Sequence, residues 1–203
     1  FSRGKSELIN AIFFAGAGRR VMPATPGRTT MCPVELYYDA KLPPSLLLLP
    51  IETRSQALAI SEMRHRRDLW HEVPLDMKDP EALSRAMAAV TRTQRVTVEK
   101  AATLGLWHEE DADAKAAVDD NGTLEIPAWR HALINVPHPL LERGLVVIDT
   151  PGLNAIGAEP ELTLGRLPSA HAAVFLLAAD TGVTKSDLAV WRDHLAASIE
   201  RFV

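Results

Sequence analysis

A single cysteine, Cys32, stands among the 203 residues, so no disulfide can form within the chain, and this usage fits a reducing compartment. Long apolar runs are missing too. The leucine block Leu46 to Leu49 falls far short of the roughly 20 residues that a membrane-spanning helix needs. No secretory leader is recognisable, which by itself excludes nothing. Neither sign of charge dominates: 22 Lys and Arg face 26 Asp and Glu, and the net charge is -4. No global field therefore draws the chain to nucleic acid or to anionic lipid, and no nucleic-acid partner is expected. The seven histidines show no paired ligand spacing, so no zinc site is expected. The acidic stretch from Asp111 begins like a calcium loop and then fails. Ala116 stands where the sharp turn needs glycine, and Gly122 where a bidentate glutamate should close the shell. What remains is ordinary for a globular domain with a proper core: 47% hydrophobic and 24% charged residues.

Against that plain background, Gly4-Lys5-Ser6 is distinctive. It is the second half of the phosphate-binding pattern G-x-x-x-x-G-K-[ST]. Glycine lets backbone N–H groups turn toward phosphate oxygens, lysine reaches the β- and γ-phosphates, and the serine hydroxyl is a Mg²⁺ ligand. Leu8, Ile9, Ile12 and Phe13 follow at helical spacing, so the loop should open a helix whose positive end faces the same anion. Taken alone, the tripeptide is a weak signal. A second one strengthens it. Leu145-Val146-Val147-Ile148 reads as a buried strand of parallel type and runs into Asp149-Thr150-Pro151-Gly152. Phosphate-loop proteins place such an aspartate on Mg²⁺ through water, and such a glycine N–H on the γ-phosphate. Between the two lies a loop rich in Gly, Ala, Arg and Pro, from Ala15 to Pro26. It leads through Thr29 and Thr30 to an alternating strand, Val34 to Tyr38. A threonine placed there can complete the Mg²⁺ shell when the γ-phosphate is present. Thr30 is the first choice and Thr29 the runner-up, the plain alternative being two loop threonines.

Three segments carry a resemblance: Phe-Ser-Arg-Gly-Lys-Ser-Glu-Leu-Ile-Asn at the start, Thr-Thr-x-Cys-Pro-Val-Glu-Leu after the loop, and Val-Ile-Asp-Thr-Pro-Gly-Leu-Asn further on. They are similar to the GTPase domain of the dynamin superfamily, the bacterial dynamin-like members most of all. The resemblance covers the two ends of the chain and hardly touches the middle. It implies a three-layer α/β P-loop domain of Ras-like, dynamin type with a mostly parallel sheet and a helical insertion. It also implies Mg²⁺-dependent hydrolysis of GTP, homodimerisation through paired GTPase domains, and membrane remodelling by regions outside this chain. The protein is thus expected in the cytoplasm, peripheral at the membrane. By the same resemblance, Ser2, Arg3, Gly4, Lys5, Ser6, Glu7 and Gly152 bind nucleotide. Ser6, Thr30 and Asp149 hold the metal, and Lys5, Thr30 and Ser2 serve catalysis. Ser2 matches a serine that helps place a monovalent cation in eukaryotic members. Phe1 departs from them, standing where they carry a water-orienting glutamine. Arg3 is read as a solvated arginine, with charge stabilisation in cis as the alternative.

The chain begins inside its first motif, so residues 1–203 are expected to be part of a GTPase domain truncated at both ends and poorly stable alone. Residues 41–140 are read as an insertion between the first switch and the Asp149 strand. Within it, Leu46 to Thr53 can extend the sheet and Ser55 to Arg67 reads as a helix, with Arg64 to Arg67 a solvated basic end and a basic contact patch as the alternative. Asp79-Pro80-Glu81 starts another helix, whose stripe runs from Leu83 through Met87, Val90, Gln94 and Val98 to Ala101. Thr123 to Ile126 and Ala132 to Val136 read as a hairpin. Beyond Gly152, Ala172 to Ala178 reads as a further strand. Thr184-Lys185-Ser186-Asp187 has the letters of the guanine-reading motif, but only one strand separates it from Asp149. It reads better as the cap of a helix carrying Leu188, Trp191 and Leu195. Guanine over adenine thus rests on the resemblance. The other readings kept open are a P-loop ATPase of another branch and a nucleotide-gated assembly module that does not hydrolyse.

Overall fold

Four leucines in a row, Leu46 to Leu49, lie at the centre of the fold, each no more than 3% exposed. A strand can bury consecutive side chains only when both faces of its sheet are covered. Leu46 and Leu48 join one core cluster with Ile9, Val34, Leu36 and Met87, while Leu47 and Leu49 join another with Met63 and Trp70. The computed structural model describes residues 4–23, 32–56, 58–110 and 112–150, with isolated positions 170–172, 174, 176, 183, 188 and 192 beyond them.

In chain order the described elements begin with helix α1, Lys5–Phe13, and strands β1, Val34–Tyr37, and β2, Ser45–Pro50. A short helix α2, Ile60–Met63, precedes β3, His71–Pro74, and α3, Pro80–Ala88. Then come β4, Thr93–Thr97, α4, Val98–Thr103, α5, Ala112–Ala116, and β5, Thr123–Pro127. The last are β6, Trp129–Asn135, α6, Pro139–Glu142, and β7, Val147–Asp149. The main sheet has the order β3-β2-β6-β1-β7, and β4 with β5 forms a separate two-stranded sheet.

The expectation of a mostly parallel sheet is corrected. Among the described residues only β1 with β6 is parallel; β1–β7, β2–β3 and β2–β6 are all antiparallel. A run of apolar residues reports burial on both faces and says nothing of a neighbour's direction. The strand before Asp149 differs in the same way. It is antiparallel to β1 and shorter than read, with Leu145, Val146 and Ile148 between 37% and 49% exposed.

Other local readings hold or give way for identifiable reasons. Asp79 caps α3 by accepting from the N–H groups of Glu81 and Ala82, with Pro80 in the first turn. The stripe continuing to Ala101 is not one helix: α3 ends at Ala88, and Thr93–Thr97 is a strand paired with β5. Thr93, Val96 and Thr97 are β-branched, Val96 is buried opposite Leu124, and Thr97 caps α4 through the Lys100 N–H. Among the described residues of Ser55 to Arg67, the α-helical part is the single-turn α2. Thr123 to Ile126 and Ala132 to Val136 are not hairpin partners, because β5 pairs with β4 while β6 lies between β2 and β1. The interval 41–140 contributes β2, β3 and β6 to the main sheet, and its 93–127 part packs around Ile51, Leu124 and Ile126.

Candidate nucleotide-phosphate site

The site is built at one end of the β1–β7 pair, where α1 begins. Gly4, immediately before α1, has φ 108°, a left-handed backbone that side chains other than glycine rarely adopt. Lys5 follows half-buried and Ser6 is buried. The Ser6 hydroxyl donates a hydrogen bond of 3.2 Å to Oδ2 of Asp149, 143 residues away in the chain. The two motifs read separately from the sequence therefore meet. Asp149, itself buried, pairs in register with Val34, so the start of β1 arrives at the same place. That start follows Cys32 and Pro33, the near end of the segment bearing Thr29 and Thr30. The Cys32 thiol is pushed up to about 12 by burial and then by the negative charge of Asp149.

Gly4, Lys5, Ser6 and Asp149 are thus brought together by α1 and β7. Glu7 turns elsewhere: its carboxylate pairs with Arg20 at 3.0 Å. Ser2, Arg3, Thr30 and its runner-up Thr29, Gly152, the Ala172–Ala178 strand and the Thr184–Asp187 cap lie outside the described residues, wholly or in large part.

The donor set fits Mg²⁺. A hydroxyl and a carboxylate are hard oxygen donors, and they sit within hydrogen-bond distance of each other at the N-terminal end of a nine-residue helix. Among the described residues no group of three or more His, Cys, Asp or Glu could hold a metal by itself.

Two features escaped the reading of the sequence. Asn10 is buried on α1, and its amide oxygen accepts from the N–H groups of Val21 at 3.1 Å and Met22 at 2.7 Å. Its amide nitrogen donates to the Met22 carbonyl at 2.9 Å. The available signal was a lone polar residue one turn beyond Ser6, at a helix position facing the core. The second is a buried carboxylate, Glu35 on β1, which accepts from Arg64 and lies 3.8 Å from Nε2 of buried His131 on β6. Burial pushes the Glu35 carboxyl up, but the nearby His131 and the hydrogen bond and charge of Arg64 outweigh it and leave it below the usual range. Arg64 is therefore an ion-pair partner, not a solvated helix end, whereas exposed Arg66 pairs with Asp68 beside it.

A family model described as the dynamin family matches residues 1–203. The chain belongs to the dynamin family. Over 58 residues it is 37% identical to the "Bacterial dynamin-like protein" of Nostoc punctiforme (strain ATCC 29133 / PCC 73102), a stretch covering 29% of this chain and 8% of that protein. Two solved chains, from an oligomerised bacterial dynamin pair described as a mechanism for long-range sensing and tethering of membranes, are also similar. They are 15% and 16% identical with TM-scores of 0.49 and 0.45, and each alignment covers 98% of this chain. The match spans 8% of the curated relative and 25% and 29% of the two solved chains. The dynamin-family fold is an α/β P-loop fold with a mixed sheet, as the described main sheet is. Among the described residues no helix is long and apolar enough to cross a membrane.

Proposed function

We propose that this dynamin-family chain carries the phosphate-binding part of a Mg²⁺-dependent GTPase, and that GTP binding and hydrolysis drive pairing of its GTPase domains and membrane remodelling by regions outside it. The Ser6–Asp149 hydrogen bond is the observation that carries the reading, since it joins the phosphate-loop helix to the Asp-Thr-Pro-Gly strand. Gly4 lets the backbone turn under the phosphates, and Lys5 neutralises charge on the β- and γ-phosphates. Mg²⁺, when bound, would balance the charge that builds on the phosphate oxygens as the γ-phosphoryl group transfers. Ser6 would hold it directly and Asp149 through water. Thr30 would complete the shell and help position the attacking water, with Ser2 and Arg3 lying along the phosphates and the Gly152 N–H meeting the γ-phosphate. The protein's contribution is then positioning and charge neutralisation, the two terms that dominate phosphoryl transfer.

The test is a nucleotide competition on the full-length natural protein, with Lys5→Ala beside it. GTP should displace a fluorescent GTP analogue where ATP does not, and Lys5→Ala should lose nucleotide binding or turnover. Equal turnover in wild type and Lys5→Ala would remove the proposal. Preference for ATP would move the protein to another P-loop branch. Tight GTP binding with slow turnover that does not rise with protein concentration would make it a nucleotide-gated assembly module.

A further inference from the structure

Helix α1 places two polar side chains on its buried face one turn apart, Ser6 and Asn10. Ser6 reaches Asp149 on β7. Asn10 reaches to the chain that follows the helix, and the three hydrogen bonds of its side chain end on the backbone of Val21 and Met22. A primary amide suits this task because it offers an acceptor and a donor side by side. Val21 and Met22 are at most 2% exposed and share a core cluster with Ile9 and Cys32. Glu7 pairs with Arg20 on the surface next to them, a second and weaker tie between the same helix and the same stretch. The phosphate-loop helix is therefore fastened to β7 on one side and, through Asn10, to the backbone that leads toward Thr29 and Thr30.

We propose that Asn10 is a positioning residue for hydrolysis: by pinning Val21 and Met22 to the helix that carries Lys5 and Ser6, it sets where the chain departs for its Mg²⁺-ligating threonine. This rests on the GTPase reading above. Asn10 touches neither nucleotide nor metal, so its effect belongs to turnover rather than to ground-state affinity. The hydrogen-bonded groups are buried, and their removal leaves two N–H groups and a carbonyl without their partner. A small displacement of that backbone is enough to misplace a catalytic group.

The experiment compares wild type, Asn10→Ala and Lys5→Ala in the full-length natural protein, measuring single-turnover GTP hydrolysis and the Kd for a non-hydrolysable GTP analogue with Mg²⁺. Asn10→Ala should hydrolyse GTP about tenfold or more slowly, with a Kd within about threefold of wild type. Wild-type turnover in folded Asn10→Ala overturns the proposal. So does a loss of affinity matching the loss of rate, which would make Asn10 a support of the whole helix. If Asn10→Ala does not fold, Asn10→Asp carries the same comparison. It keeps the acceptor for both N–H groups and sets a carboxylate oxygen against the Met22 carbonyl. A wild type that neither binds nor hydrolyses GTP refutes the GTPase reading and the Asn10 role with it. An active wild type with an unaffected Asn10 variant refutes the Asn10 role alone.

Discussion

The Ser6 hydroxyl and the Asp149 carboxylate are hydrogen-bonded at 3.2 Å, although 143 residues separate them. One starts the helix that follows Gly4, and the other ends the strand beside β1. The pair differs from an incidental buried contact in what removing one member should do.

If Ser6 ligates Mg²⁺ as proposed, Ser6→Ala should slow GTP hydrolysis by about 10²-fold or more. Chelation of Mg²⁺ should weaken GTP binding by the wild type and change it little in Ser6→Ala. Thr30→Ala should behave differently, keeping GTP affinity while losing turnover. Titration of a fluorescent GTP analogue with and without chelator, alongside phosphate release, separates the two. A Ser6→Ala protein that still responds to Mg²⁺ like wild type would take the metal away from this residue.

The Glu35–Arg64 pair should be a stability element of the sheet rather than part of the phosphate site. The Glu35 side chain is 3% exposed and the Arg64 side chain 36%. Breaking a fully buried pair costs about 3–5 kcal/mol. Discounted for the solvent that screens Arg64, Arg64→Ala should cost about 1–3 kcal/mol in urea unfolding. The pH dependence has a definite sign. The folded-state carboxyl lies below its usual 4.5, so its contribution is present above that value and lost as pH falls through the folded one. Arg64→Ala relieves much of that depression. Its stability should fall less steeply than that of wild type between neutral and acid pH.

Asp119 organises the connection from α5 into β5. Its carboxylate accepts from the N–H groups of Thr123 at 2.9 Å and Asn121 at 3.0 Å, from the Thr123 hydroxyl at 2.8 Å, and from Arg95. The Thr123 bonds come first in holding its pKa down to about 2, so its contribution is full above the ordinary aspartate value and is lost as the pH falls from there through about 2. Asp119→Ala should speed hydrogen exchange at the amides of Asn121 and Thr123 and leave GTP binding unchanged. Exchange as slow as in wild type would show that β4–β5 pairing alone holds the turn.

Cys32 should be inert in the folded protein. Its thiol is buried and pushed up to about 12, and only the thiolate is a good nucleophile. Iodoacetamide at pH 8 should leave native Cys32 unmodified and label it readily in denaturant. Ready labelling of native protein would mean that the start of β1 opens away from Asp149.

How much was legible in the sequence differs from residue to residue. Gly4, the helix after it and the cap at Asp79 could be read because each depends on neighbours within a turn or two; which face α1 buries could not, since Leu8 and Ile12 of the expected stripe are exposed. That Ser6 and Asp149 would meet could be expected because phosphate and Mg²⁺ chemistry ask for those residue types in that order. A strand with both faces buried looks alike beside a parallel or an antiparallel partner, so the direction of β7 could not be read locally. Thr93 to Thr97 fell by chance on a helical stripe, and pairing with β5 overrode it.

The amino-acid order by itself determined the local parts: a glycine turn into a helix, an apolar β2, a strand from Val34 (though not an alternating one, since Glu35 is buried as well) and a carboxylate at the end of a short strand. Only the tertiary structure decided the sheet order, the antiparallel placement of β7 beside β1, the Arg64 and His131 surroundings of Glu35, and the bond from Asn10 to Val21 and Met22. Each of these is a choice among partners distant in the chain. It is settled by which apolar faces bury together and which polar groups would otherwise be stranded, and no local period of side chains carries that information.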